Sequence, residues 1–217
     1  MGKKCIIIGA GDFQVSSISV EEGDWVIAAD GGFSYCRRMK LEPDLVLGDF
    51  DSLTGEGRRE LEALRLSCPE KVQILPVEKD DTDMLAAIRE GLARGYRLFH
   101  IYGGQGGRLD HTIANIQCLN FLKEQGAEGM LLEEDGMIRL LRDETVELSS
   151  RCEGRLSLFS YGERAEGVNI RNMKYELKDA VLTNSFPIGV SNEFIGRPAS
   201  VSVRKGTLLL LIHWGKP

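Results

Sequence analysis

A chain of 217 residues, 42% hydrophobic and 28% charged, has ordinary globular composition and supports one large domain or two smaller ones. Its net charge of -6, without any Lys/Arg-rich run of five or more, argues against a nucleic-acid partner. The five cysteines, Cys5, Cys36, Cys68, Cys118 and Cys152, are scattered and contain no C-x-x-C pair, so they read as reduced thiols rather than a zinc or dithiol site.

The chain opens with Lys3-Lys4 and the apolar run Cys5 to Ile8, which Gly9-Ala10-Gly11 ends far too early for a secretory signal. Ile6 at the sixth position excludes an N-myristoylation motif, and no apolar stretch reaches membrane length, so a cytosolic location is expected. Cys5 to Ile8, Val26 to Ala29, Leu45 to Leu47, Val72 to Leu75 and Leu98 to Tyr102 read as buried strands, rich in Ile, Val and Leu with little polar alternation. Helical patterns span Phe33 to Met39, Glu56 to Leu66, Thr82 to Arg94 and Asp110 to Glu124, the last stopped by Gly126. Strand and helix alternating in this way predict a largely parallel sheet covered on both faces. Gly129 to Leu132 and Met137 to Leu141 are further strands. From about Val146 the pattern changes to short β-type runs at Leu156 to Phe159, Val168 to Ile170, Ala180 to Leu182, Ala199 to Val203 and Leu208 to His213. Turns of Gly, Asn and Pro separate them, which suits a small antiparallel sandwich or barrel. The expected organisation is therefore a mostly parallel α/β domain over 1–145, followed by an antiparallel β domain, sandwich or barrel, over 146–217.

In an open parallel sheet, ligands bind beyond the carboxyl ends of the strands. The second strand is followed by Asp30-Gly31-Gly32, the third by Gly48-Asp49-Phe50-Asp51-Ser52, the fourth by Lys79-Asp80-Asp81-Thr82-Asp83, and the fifth by Gly103-Gly104-Gln105-Gly106-Gly107-Arg108-Leu109-Asp110-His111. The topology brings all four to one rim. Asp49 and Asp51, spaced i and i+2, project to the same side of an extended chain. At about 4 Å and an effective dielectric near 20, two carboxylates repel by roughly 4 kcal/mol, so keeping both ionised calls for a cation, and Mg²⁺ suits hard oxygen ligands. The glycine loop leaves its backbone N-H groups open to an anion, and Arg108 adds a fork suited to phosphate oxygens. It lacks the G-K-[ST] ending of a Walker loop, and Gln14 takes the last glycine position of a dinucleotide motif beginning at Gly9. Acidic residues and Thr82 at a helix start are also favoured by capping alone.

Taken together, A-D-G-G at 29–32, G-D-F-D-S at 48–52, D-D-T-D at 80–83, G-G-Q-G-G-R-L-D-H at 103–111 and V-S-N-E-F at 190–194 resemble the thiamine pyrophosphokinase family, in order and spacing, over nearly the whole chain. The resemblance implies an α/β domain binding ATP and Mg²⁺, a β-sandwich, and a homodimer whose thiamine sites lie between subunits. It implies transfer of the pyrophosphoryl unit of ATP to the thiamine hydroxyl, giving thiamine diphosphate and AMP. By position, Asp49, Asp51 and Asp83 match metal-binding carboxylates. Asp30 and Asp110 match acidic residues lining the reaction centre, and Ser191 and Asn192 match residues facing the thiamine pyrimidine. Gly103, Gly104, Gly106, Gly107, Arg108 and Thr82 are the candidate ATP contacts. Gly9-Ala10-Gly11-Asp12 and Leu158-Phe159-Ser160-Tyr161-Gly162 follow the family only loosely, and the aromatic that the resemblance implies against the thiamine ring is not assigned, since Trp214, near the end of the chain, also reads as plain packing.

Two other classes fit parts of the pattern: a metal-dependent phosphotransferase or phosphohydrolase using Asp49 and Asp51, and a non-catalytic nucleotide or thiamine-diphosphate sensor. Ser52-Leu53 after Asp51 departs from a haloacid-dehalogenase-type motif. Retention of the acidic positions argues against a sensor.

Overall fold

The computed structural model describes residues 2–51, 53, 55–76, 78, 80–150 and 153–215; Ser52, Lys79 and Cys152 lie outside them. Two compact units divide the chain, Met1–Glu134 and Asp135–Pro217.

Six strands of the first unit form one parallel sheet: β1 (Cys5–Ile8), β2 (Trp25–Ala29), β3 (Leu45–Gly48), β4 (Val72–Ile74), β5 (Leu98–Tyr102) and β6 (Glu128–Glu133). Their spatial order is β6-β5-β1-β2-β3-β4, every neighbouring pair being parallel. The helices are α1 (Gly32–Met39), α2 (Gly55–Ser67), α3 (Asp83–Ala93) and α4 (Leu109–Glu124), with a short 3-10 turn at Pro69–Lys71. Side chains alternate across the sheet, so Ile6, Ile8, Val26, Ala28 and Val46 fall on the face where Phe33 and Cys36 of α1 and Leu61 of α2 complete a core. On the other face, Gly91 of α3 sits so close to Phe99 and Cys5 that an added Cβ would lie within 3 Å of both. All four residues of β1 and all five of β2 are buried, as the unbroken apolar runs required.

At the end of the sheet opposite the ligand edge, the Lys4 ammonium meets the Asp24 carboxylate at 2.8 Å, with the Asp24 side chain only 2% exposed. Burial on its own would raise the Asp24 carboxyl, but hydrogen bonds from Lys4 and from the backbone of Glu21 and Lys4 outweigh it and hold the pKa below the usual carboxylate range. Cys5, Cys36 and Cys118 are buried free thiols; burial pushes Cys36 up to about 12 and Cys118 to about 11. Among the described residues no helix is long and apolar enough to cross a membrane.

The second unit is a pair of antiparallel sheets. One has the order β12 (Gly189–Glu193), β9 (Gly154–Ser160), β14 (Thr207–Trp214), β7 (Gly136–Arg142). The other runs β11 (Leu177–Thr183), β10 (Arg164–Arg171), β13 (Ala199–Ser202), β8 (Thr145–Leu148). Leu156, Leu158, Leu208, Leu210 and Ile212 from the first meet Val168, Ile170, Leu182 and Val201 from the second in a single apolar cluster, against which Trp214 packs at the edge. β7 accounts for the division after Glu134, whereas the sequence placed it near 145: β7 pairs with β14 from Gly136 to Arg142, a partner more than sixty residues further on that no local pattern displays. β12 escaped the strand pattern because one extra residue lies between Gly189 and Asn192 in its pairing with β9, and Ser191 there takes a left-handed φ of 59°.

Candidate active site

The strand order explains where the cleft lies. From β1 the chain moves outward through β2, β3 and β4, then returns to place β5 on the other side of β1, so the loops after β1 and β5 diverge from adjacent strands. A crevice opens at such a switch point. Here it has a volume of about 580 Å³ and is lined by Gly9 to Asp12, Asp30, Asp49, Asp51, Asp81 to Met84, the glycine loop with Arg108, and His111, Ala114 and Asn115 of α4. Loops after β1, β2, β3 and β5 and the residues leading into α3 thus meet in one place.

Asp30, Asp49 and Asp51 each offer a carboxylate oxygen, and these oxygens all lie within 4.8 Å of one another. The backbone makes this convergence. Phe50, between the two motif aspartates, takes a left-handed φ of 58° and buries its ring to 4% exposure beside Leu53 (5%), pinning the turn to the core while its neighbours face outward. The Asp51 N-H donates to Asp49 Oδ1 at 3.2 Å. Asp30 is also left-handed, at φ 49°, and its N-H bonds the Leu47 carbonyl at 2.8 Å. An added Cβ at Gly48 would come within 3.0 Å of Asp30 Cα, so only glycine lets the ends of β2 and β3 approach this closely. Left-handed backbone at two positions of one acidic cluster is strain of the kind held at functional sites. Asp83, expected as the third metal-binding carboxylate, lies outside this group although it lines the same cleft; Asp30 stands there instead.

The glycine loop is held from two sides. Asn115, buried on α4, donates its amide to the Gly104 carbonyl at 2.7 Å. The Gly11 N-H bonds the Gly103 carbonyl at 2.9 Å and the Asp12 N-H bonds the Gln105 carbonyl at 2.8 Å. Gly106 and Gly107 are left-handed in succession, at φ 78° and 62°. Gly9 to Asp12 and Asn115 went unassigned by the sequence reading. The rule that selected the other loops would have found the first, since it too follows a strand at the carboxyl edge; nothing in the sequence marked Asn115.

Arg108 lines the cleft and is exposed, with its guanidinium gripping Asp110 through Nη2 at 2.6 Å and Nε at 3.2 Å. The hydrogen bond between them, reinforced by charge, raises the Arg108 pKa and lowers that of Asp110. Asp110 faces the arginine rather than the cleft lining. Thr82 caps α3, its hydroxyl accepting from the Leu85 N-H at 3.2 Å, and Asp81 pairs with Arg89 at 3.1 Å. Helix-start chemistry accounts for Thr82 and Asp81, which also border the cleft.

In the second unit, Ser191 is exposed and its N-H bonds the Ser157 hydroxyl at 3.0 Å. Asn192 is 4% exposed, and its amide is committed to the main chain. Oδ1 accepts from Tyr175 N-H at 2.9 Å and Glu193 N-H at 3.0 Å, and Nδ2 donates to the Tyr175 carbonyl at 2.6 Å.

The first unit is thus an α/β domain of the open-sheet, switch-point class, with an acidic and glycine-rich cleft, and the second is a β-sandwich in the same chain. Residues 18–131 match the family model "Thiamin pyrophosphokinase, catalytic domain", and 144–208 match "Thiamin pyrophosphokinase, vitamin B1 binding domain". The thiamine pyrophosphokinase of Bacillus subtilis (strain 168) is 26% identical over 186 residues, 85% of each chain. A crystal structure of thiamine pyrophosphokinase from Bacillus subtilis shares the fold with a TM-score of 0.88 at 23% identity, covering 98% of this chain and all of that one. A thiamin pyrophosphokinase family protein from Enterococcus faecalis gives 0.81 at 25%, covering 99% and all. The chain belongs to the thiamin pyrophosphokinase family, with its catalytic and vitamin B1 binding domains, and thiamine pyrophosphokinase is the activity that membership carries.

Proposed function

We propose that the cleft of the first unit binds ATP and a divalent cation, Mg²⁺, and directs the pyrophosphoryl group to the hydroxyl of thiamine, releasing AMP. The observation carrying this reading is the meeting of three carboxylates and a glycine loop in one cleft of about 580 Å³. The donor set fits Mg²⁺: Asp30, Asp49 and Asp51 present only hard oxygens, close enough together that a cation relieves their mutual repulsion. When bound, such an ion neutralises phosphate charge and holds phosphate oxygens in a fixed geometry. The chain itself supplies the remainder. The glycine loop offers backbone N-H groups to phosphate oxygens, Arg108 offers a positive fork at the cleft, and Asp83, an acidic side chain of the lining outside the three-carboxylate group, orients the acceptor hydroxyl. Phosphoryl transfer asks for positioning and charge neutralisation more than for a covalent nucleophile, and the lining matches that requirement.

Thiamine binding is assigned to the second unit, with Ser191 as a direct contact and Asn192 as a residue that shapes the strand beneath it. We infer a homodimer in which thiamine sits between subunits. Exposed apolar side chains between 175 and 195, among them Tyr175, Phe186, Ile188, Val190 and Ile195, support a surface covered in the assembly. A cytosolic location accords with the free thiols. Incubation with ATP, Mg²⁺ and thiamine tests the reaction: AMP in step with thiamine diphosphate is expected. ADP would mean a simple kinase, phosphate alone a phosphohydrolase, and nucleotide binding without turnover a sensor.

A further inference from the structure

The loop after β1 contributes more than a wall to the cleft. Asp12 Oδ2 accepts the backbone N-H of Gly107 at 3.2 Å, and the Asp12 side chain lies so tightly against Gly106 that a Cβ there would overlap Cβ, Cγ and Oδ2 of the aspartate. The residues on either side of Asp12 are themselves held. The Tyr35 hydroxyl donates to the Gly11 carbonyl at 2.8 Å, and the Phe13 ring stacks on Tyr35 with centroids 4.7 Å apart. Tyr35 belongs to α1, so the chain on which Asp12 rides is anchored to the body of the domain, while its carboxylate reaches across the switch point to the glycine loop.

A carboxylate beside a triphosphate site opposes the anion by simple charge, so its presence there calls for a compensating role. The left-handed pair at Gly106 and Gly107 is a backbone conformation that glycine permits but does not enforce, since glycine populates many others as readily. We propose that Asp12 is a positioning residue: by accepting from Gly107 and packing flat on Gly106, it fixes the glycine loop in the shape that receives the phosphates of ATP. This rests on the assignment of the glycine loop to the nucleotide. The carboxylate acts as a hydrogen-bond acceptor of fixed position, and its charge is incidental.

Steady-state kinetics on the full-length protein test the proposal. Asp12→Ala frees the loop, and the KM for ATP should rise about fivefold or more, the scale of one lost hydrogen bond to an otherwise ordered site, while the KM for thiamine and the melting temperature hold. Asp12→Asn keeps an oxygen able to accept from Gly107 and should recover most of the loss, or bind ATP more tightly through the removed charge. An unchanged KM for ATP in Asp12→Ala overturns the proposal, as does an Asp12→Asn variant as impaired as Asp12→Ala. Gly107→Ala separates this from the underlying assignment: a Cβ at Gly107 meets nothing within 4 Å in the fold, and the strain it places on the left-handed φ of 62° disturbs the loop without removing the Asp12 carboxylate. If Gly107→Ala weakens ATP use and Asp12→Ala does not, Asp12 has no such role and the loop still binds nucleotide. If neither has an effect, the nucleotide assignment of the loop falls as well.

Discussion

Asn192→Ala is expected to act on stability before it acts on thiamine. The side chain is 4% exposed and makes three hydrogen bonds to the main chain of Tyr175 and Glu193, at 2.9, 2.6 and 3.0 Å. Truncation strands two N-H groups and one carbonyl, each worth about 1 to 3 kcal/mol if left dry. Tyr175 is 61% exposed, so water reaches part of that main chain and moderates the loss. A total of about 2 to 4 kcal/mol follows, which for a chain of this size lowers the melting temperature by about 5 to 15 °C. Differential scanning calorimetry beside thiamine kinetics at a temperature where the variant is folded provides the assay. A melting temperature within about a degree of the parent, joined to a large rise in the KM for thiamine, would refute the reasoning and return Asn192 to the substrate. Asn192→Asp is an informative companion: it retains the acceptor for both N-H groups but sets an oxygen against the Tyr175 carbonyl, so it too should destabilise.

Ser191→Ala should behave in the opposite way, raising the thiamine KM by roughly tenfold with little change in melting temperature, because the bond linking Ser191 to Ser157 uses the backbone N-H and survives. Asp49→Asn and Asp51→Asn should each lower turnover by about 10²-fold or more and shift the Mg²⁺ requirement upward, and near-parental turnover at ordinary Mg²⁺ would remove them from the cation site. For Asp24, the folded pKa lies below the unfolded value, so its stabilising contribution is complete above the unfolded pKa of about 3.9 and is lost as pH falls through the folded value. The gap in melting temperature between parent and Asp24→Asn should therefore be constant from neutrality to about pH 5 and close below about pH 4, and a gap that widened on acidification would contradict the Lys4 to Asp24 account.

The sequence by itself determined the parallel sheet, its four helices and the edge at which the cleft lies. Runs such as Cys5 to Ile8 and Trp25 to Ala29 are apolar without alternation because both of their faces are covered, a requirement written into every residue of the run. It also determined that Asp49 and Asp51 work together, since their spacing and the glycine before them are local facts. The tertiary structure decided what depends on partners distant in the chain. Asp30 joins Asp49 and Asp51 because β2 lies beside β3 and Gly48 allows the close approach, whereas Asp83, next to its own helix cap, lines the cleft outside that group. Asp12 reaches Gly107 across ninety-five positions only because β1 and β5 are neighbours. Asn192 turns inward because a bulge inserts one residue before it, and a period-2 reading of a strand has no means of registering an insertion that exists only in the pairing with β9. Which residue types could do the chemistry was legible in order along the chain; which of them share a site was fixed by strand adjacency and left-handed turns, whose energies lie in contacts that no single segment contains.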